Sequence, residues 1–394
     1  MRAILYTGKG GVGKTTLAAA TALGAAGAGQ RTLVISTDIA HSLADALGQP
    51  LDNEPRQVGG ERLLACELDT GEELERYWGA IKRRIAAALQ ERGVQAPVAG
   101  ELAVLPGLDE ILALVRIKRY LESDEYDVLV IDSAPTGAAM RLLGAPDLQR
   151  WYTQNLLGLG KGLSRMLLPA LRNVVNLPIT EAAIQSQLQA LFDQVGALRA
   201  LLTDAEVTSV RLVLNPDHMS LQETQRAHTY MSLFGLSVDA VLVNRVLPAA
   251  VTDPYFGQWK ADQSRYLGLI RQTFEPLPVI EVPLRRQEVV GVPALRELAA
   301  ELFGETNPAS RLSDVQTLRF FVEGERQLLA LRVSGVPAGE VGLEKQGSLL
   351  RVRLGQLRRS IVLPDYLAGL QPAWARLADG ELQVAFEEPE RTNR

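Results

Sequence analysis

The amino-acid sequence predicts an α/β fold, a doubly wound parallel sheet with helical insertions, followed by a C-terminal β-sandwich. Three observations predict it. Residues 1–45 read as strand, glycine loop, helix and strand, which is a βαβ unit. Four later apolar runs have the continuous Val/Leu/Ile character of buried parallel strands, each followed by a helix-like segment. After Phe303 the pattern changes to short alternating segments separated by turns.

The first unit places a strand over Ala3 to Thr7, a loop over Gly8 to Gly13, a helix from Lys14 to about Ala28 and a strand over Thr32 to Thr37. The later parallel strands are Val128 to Ile131, Val210 to Leu214, Val238 to Val243 and Leu277 to Val282. Residues 72–125 and 148–205 are long and helix-patterned, and they read as insertions in this sheet. Within the second, Trp151 to Val175 is rich in Leu, contains Met166 and is loosened by Gly158, Gly160 and Gly162. It suits either an amphipathic helix covering the core or an adaptable apolar surface for a partner, formed by Leu156, Leu157, Leu163, Met166, Leu167 and Leu168.

Residues 1–303 are thus expected to form one domain, 304–314 a polar linker and 315–388 a second domain. At 394 residues the chain exceeds the roughly 250 to 300 residues at which single cores stop growing. In the C-terminal part, Leu318 to Glu323, Gln327 to Val333, Val341 to Lys345, Ser348 to Leu354, Arg358 to Leu363 and Glu381 to Phe386 read as strands. Glu323-Gly324, Gln346-Gly347 and Asp379-Gly380 mark turns between them.

Composition excludes several classes. A net charge of −5 argues against nucleic-acid binding through a broad basic face. One cysteine and three histidines leave a tetrahedral zinc or iron–sulfur site within one chain unexpected, and Cys66, in an apolar run, reads as buried filler. No apolar stretch approaches the roughly 20 residues that span a bilayer. With no leader-like N-terminal pattern either, the expectation is a cytoplasmic protein without stable membrane insertion.

Gly8-Lys9-Gly10-Gly11-Val12-Gly13-Lys14-Thr15, followed by Thr16, contains the phosphate-loop pattern G-x-x-x-x-G-K-[ST] between a strand and a helix. Its glycines let backbone N–H groups turn toward phosphates and the helix presents its positive end. Lys14 is expected at the β/γ oxygens of ATP and Thr15 at Mg2+. Asp132, directly after an apolar strand, stands where a second Mg2+ carboxylate belongs; a helix cap is the alternative.

Lys9, a second lysine early in the loop, makes the motif resemble the deviant signature of the family that includes nitrogenase iron protein, the division-site and plasmid-partition ATPases, the arsenite-pump ATPase and the tail-anchored-protein targeting ATPase. The resemblance implies a homodimer in which Lys9 reaches the partner's nucleotide, charge supplied in trans. It narrows to the arsenite-pump and tail-anchored-protein branch. Ser36-Thr37-Asp38-Ile39-Ala40-His41-Ser42 is similar to that branch's first switch loop and Asp132-Ser133-Ala134-Pro135-Thr136-Gly137 to its second. Asp38 is thereby implied at the attacking water, Asn244 at the adenine and Asp217 as an acidic nucleotide contact. Ile39 and Ala138 depart from the branch's usual Pro and His, and its zinc-clamping C-x-x-C and arsenite-binding cysteines are absent. The C-terminal segment resembles the α-crystallin type of small-heat-shock-protein domain through Arg359 to Pro364 and Ala375 to Leu382; an unrelated β-sandwich is the alternative.

Together these features imply an enzyme that hydrolyses ATP to open and close a homodimer, serving a hydrophobic client segment of a membrane protein. An anion-efflux ATPase subunit and a partition-type positioning scaffold are the competing readings.

Overall fold

The computed structural model describes residues 1–37, 42–60, 62–90, 95, 108–132, 182–324, 326–336 and 338–388. The chain divides into two compact units, Met1–Glu67 with Ser123–Ala134 and Leu202–Arg394, and Leu68–Glu122 with Pro135–Leu201. In chain order the strands of the larger sheet are β1 (Arg2–Gly8), β2 (Thr32–Ser36), β3 (Arg56–Gln57), β4 (Leu63–Glu67), β5 (Val128–Asp132), β6 (Thr208–Leu214), β7 (Val238–Val246) and β8 (Val279–Pro283). The helices are α1 (Lys14–Gly27), α2 (Ser42–Leu47), α3 (Thr70–Gln90), α4 (Leu108–Leu121), α5 (Ala182–Thr203), α6 (His218–Leu233), α7 (Gly257–Phe274) and α8 (Val292–Phe303).

The sheet order is β3-β4-β2-β5-β1-β6-β7-β8, parallel except where β3 meets β4. The first two βα units run to one side of β1 and β6 to β8 run to the other. The order therefore reverses beside β1, and the carboxyl ends of β1, β5 and β6 open a crevice there. Central strands β2, β5 and β6 are buried along their whole length, which explains why they read as unbroken apolar runs. Leu17, Ala18, Ala22 and Leu23 of α1 share one core with Ile4, Tyr6, Val34 and Val130, and α8 adds Leu295, Leu298 and Ala299. Fully burying one such leucine is worth about 1.5–3 kcal/mol, so the helix that follows the glycine loop is firmly seated.

Three strands went unread in the sequence, among them the two-residue Arg56–Gln57. Leu63–Glu67 is short, yet it pairs with β2 through all five of its residues. Gln371–Ala378 contains Pro372, which cannot donate to a ladder; the strand lies at a sheet edge and carries a bulge between Pro372 and Trp374, where proline is tolerated.

In the smaller unit, α3 and α4 are joined by a buried ion pair, Arg116 to Glu73 at 2.6 Å. Lys118 of α4 donates to Glu122 at 2.6 Å and to Gln194 of α5 at 3.0 Å. The segment Trp151 to Val175 lies outside the described residues. Among those described, no helix is long and apolar enough to cross a membrane.

The C-terminal strands are β9 (Leu318–Glu323), β10 (Arg326–Arg332), β11 (Val341–Gln346), β12 (Leu349–Leu354), β13 (Leu357–Val362), β14 (Gln371–Ala378) and β15 (Glu381–Glu387). They form a four-stranded antiparallel sheet, β14-β15-β10-β9, and a three-stranded one, β11-β12-β13, the strand content of a β-sandwich. Alternation along β12 puts Leu350, Val352 and Leu354 inside and the arginines between them outside.

The stretch before these sheets is held by buried charge. Arg211 of β6, fully buried, donates to the carbonyls of Pro308 at 2.8 Å and Ser310 at 3.1 Å and faces Asp239 at 3.5 Å. Asp239 in turn accepts from Ser209 at 2.8 Å and from the Leu312 N–H at 3.3 Å. Farther on, Ser334 exchanges hydrogen bonds with Thr229 of α6, at 2.8 and 2.9 Å, and its hydroxyl lies 2.8 Å from Nδ1 of His228. The polar linker read in the sequence is thus pinned to the sheet.

Candidate nucleotide-binding site

β1 lies between β5 and β6, paired with β5 from Arg2 to Tyr6 and with β6 from Ala3 to Gly8, so its end is a fixed platform for the glycine loop. Two glycines are required by that seating. A Cβ at Gly8 would run into the Val213 carbonyl oxygen of β6. Gly13 holds φ 95° as the residue before α1, and a Cβ there would run into the side-chain amide of Asn244. Asn244 uses that amide as a clasp, donating from Nδ2 to the Val12 carbonyl at 2.7 Å and accepting at Oδ1 from the Arg245 N–H at 2.9 Å. The first turn of α1 contains no acidic residue, which leaves its positive end available to an anion.

Within the loop Lys14 Nζ donates to the Lys9 carbonyl at 3.2 Å, and Thr15 Oγ1 lies 3.0 Å from Ser42 Oγ. Ser42 opens α2, and that six-residue helix is held by Glu67, a buried residue ending β4 whose Oε1 accepts from the N–H groups of Leu43 and Ala44 at 2.9 Å each. Asp132 ends β5 beside Tyr6 and Ser36, buried, with Ser36 Oγ 3.5 Å from its Oδ2.

These elements frame a cavity of about 600 Å3, within the range of small-molecule sites. Gly10, Gly11, Gly13, Lys14, Thr15 and Thr16 form one wall, Ser42 and Asp45 a second. Asn244 and Arg245 line it too, with residues 282–290 from the end of β8 and its connection to α8. Lys14, Thr15, Thr16 and Asn244 are therefore brought together as expected. Gly8 and Val12 support the wall from behind, and the side chain of Lys9 is not on it. Asp217 is N-cap of α6, accepting from the N–H and the hydroxyl of Ser220 at 2.8 and 3.0 Å, and is not on the wall either. Asp38 lies outside the described residues, as do Ile39, Ser133 to Gly137 and Ala138.

Sequence reasoning missed Glu67, although a carboxylate closing an apolar run at the sheet's carboxyl edge was a signal equal to that of Asp132. It also missed residues 283–290, a loop with no residue pattern of its own.

Comparison with known proteins covers nearly all of the chain. Residues 1–304 match the anion-transporting ATPase family model, and residues 324–386 match the model of an HSP20-like domain found in ArsA. A Chlorobaculum tepidum protein named "Putative arsenical pump-driving ATPase" is 38% identical over 392 residues, 98% of this chain and 96% of the relative. "ATPase GET3C" of Arabidopsis thaliana is 32% identical over 74% of this chain and 80% of its own length. "ATPase ASNA1 homolog" of Trypanosoma cruzi is 32% identical over 75% and 89%. A chain that matches this family model over residues 1–304 belongs to the anion-transporting ATPase family and hydrolyses ATP to ADP and phosphate.

Proposed function

We propose that the chain acts as a homodimer which ATP closes and hydrolysis reopens, and that this cycle serves the targeting or chaperoning of hydrophobic membrane-protein segments. The observation that carries the reading is the unequal use of two lysines in one loop. Lys14 lies on the wall of the cavity beside the helix terminus, whereas Lys9 offers the cavity only its backbone carbonyl, to Lys14. A second copy is the natural place for the charge of Lys9, at the γ-phosphate of its partner.

In this reading the N–H groups of Gly10 to Thr16 and Lys14 hold the phosphates. The hydroxyls of Thr15 and Ser42, 3.0 Å apart, and the carboxylate of Asp132 at the end of β5 are hard oxygen donors of the kind Mg2+ takes, without a soft ligand among them. Mg2+ bound there would neutralise charge on the phosphates. Asp38, directly after the β2 segment, orients or deprotonates the attacking water. Asn244 and Asp217 serve the nucleoside side, Asn244 from the cavity wall and Asp217 by resemblance alone.

The competing reading, an ATPase that drives an arsenical pump, rests on the name of relatives such as the Chlorobaculum tepidum protein. Soft-metalloid binding calls for several thiolates, and the single cysteine, Cys66, is buried in β4. The test uses an Asp38→Asn chain that binds ATP without turning it over. Trapped with ATP, it should co-purify with a model transmembrane segment, and wild-type turnover should not respond to arsenite. Arsenite stimulation with no segment captured would reverse the choice.

A further inference from the structure

α2 is a helix of six residues, too short to persist on its own, so its place must come from what it touches. Leu43 and Leu47 are buried in the core shared with α1, which fixes how the helix is turned. Its first N–H groups need acceptors, and the residue before it is His41, not one of the Ser, Thr, Asp or Asn side chains that usually accept them. The acceptor comes from another strand instead. Glu67 Oε1 takes the N–H groups of Leu43 and Ala44 at 2.9 Å each, across 24 and 23 positions of sequence.

Glu67 is itself firmly placed. It ends β4, buried, and its own N–H donates to the Asp52 carbonyl at 2.9 Å. In the sheet register Glu67 stands beside Ser36, and Ser36 beside Asp132, so two buried carboxylates lie in one row at the carboxyl edge with β2 between them. Burying a carboxylate is costly unless hydrogen bonds take up its charge, which the two N–H groups of α2 help to do. A cap placed next to α2 in sequence would stabilise the helix wherever it lay. A cap delivered from β4 also ties its first turn to the edge of the sheet.

That first turn carries Ser42, whose Oγ lies 3.0 Å from Thr15 Oγ1. We infer that Glu67 is a positioning residue for Mg2+-dependent ATP binding: through the start of α2 it holds the Ser42 hydroxyl against Thr15, so that both oxygens are in place before the ion arrives. The inference rests on the Mg2+ site of the proposed function and adds to it a residue that acts only through Ser42. Outer partners of this kind matter because an oxygen that must first be ordered is a weaker ligand than one already held.

The experiment is calorimetric titration of the full-length protein with ATP, once with Mg2+ and once with EDTA in its place. Glu67→Met fills the buried site without an acceptor, and Glu67→Gln keeps an accepting oxygen at the same reach. Glu67→Met should lose about tenfold in ATP affinity with Mg2+ and less than about twofold with EDTA, while Glu67→Gln should stay within about threefold of wild type in both. Ser42→Ala, which removes the positioned oxygen itself, should show the same loss confined to Mg2+, and adding Glu67→Met to it should cost little more. Should Glu67→Met fail to fold, Glu67→Asp, whose oxygens are withdrawn by one methylene, takes its place with the same expectation. Wild-type affinity in the acceptor-lacking variant would overturn the inference, and so would an equal loss with and without Mg2+, the mark of a purely structural cap. A loss in Glu67→Gln as large as in Glu67→Met would also overturn it, by showing that charge and not reach is what Glu67 supplies. Failure of the Mg2+ site itself would look different, because wild-type affinity would then be the same in both solutions.

Discussion

Lys14 and Arg211 both donate to backbone carbonyls, and the two regions they serve use that bond in opposite ways. Lys14 meets the Lys9 carbonyl at 3.2 Å on the wall of an open cavity, a contact easily exchanged for a phosphate oxygen. Arg211 meets Pro308 and Ser310 with no exposure at all, and Asp239 beside it is equally buried. At the cavity, polar groups remain half-buried and available. At the join between the sheet and the C-terminal strands they are spent on one another, and the product is fixed geometry. The same residue types therefore give ligand binding where water can reach them and structural locking where it cannot.

The sharpest way to break this comparison is Arg211→Ala. It leaves Asp239 buried beside an empty site and releases two carbonyls, a loss on the order of 3–5 kcal/mol. Urea unfolding should show that loss, and proteolysis between residues 304 and 314 should speed up as the segment comes off the sheet. A variant as stable as wild type would mean that the buried pair does not hold the join.

Lys14→Ala should show the reverse pattern. ATP affinity should drop at least about 100-fold through loss of the direct cation, while the urea midpoint stays within about 0.5 kcal/mol of wild type because the side chain is not a core element. Calorimetry and unfolding on the same preparation check both halves, and retained ATP affinity would remove the glycine loop from the site.

The two regions also differed in how far the sequence announced them. The loop from Gly8 to Thr16 does its work with consecutive residues, so its glycine spacing and flanking strand and helix are visible locally. Six of the eight strands of the large sheet were legible as apolar runs for the same reason. His228 and Ser334, by contrast, are 106 residues apart, and neither is unusual in its own segment. Arg211 reads as an oddity in an apolar strand until Pro308 and Asp239 are seen beside it. Asn244 occupies both classes, since its motif marked it as a nucleotide contact, but only the structure shows the clasp on Val12.

A subtler break comes from pH. Burial, with a smaller contribution from Arg332, pushes the pKa of His228 down from 6.5 to about 4. Between those values the unfolded chain takes up a proton that the folded chain refuses. Stability should therefore fall as pH drops through this window and be lost in full near pH 4, on the order of 2–3 kcal/mol. Urea unfolding at pH 7 and pH 5 should show a steeper decline for wild type than for His228→Gln. Identical declines would mean that His228 is not the group that titrates.

The smallest expected effect belongs to Asp217, and it decides on which side of the comparison that residue falls. Its carboxylate caps α6 through Ser220, the ordinary duty of an aspartate before a helix, while the family resemblance places an acidic nucleotide contact at the same position. Capping alone predicts that Asp217→Ala costs about 1 kcal/mol of stability and Asp217→Asn much less, because asparagine keeps the accepting oxygen. A nucleotide contact predicts instead that both substitutions weaken ATP binding, since an acceptor of full charge is lost in each. Measured together, a stability loss confined to Asp217→Ala with ATP affinity unchanged in both would leave Asp217 a structural cap. Weakened binding by Asp217→Asn at full stability would bring it to the nucleotide, reached across the start of α6 rather than through the wall that Asn244 and Arg245 build.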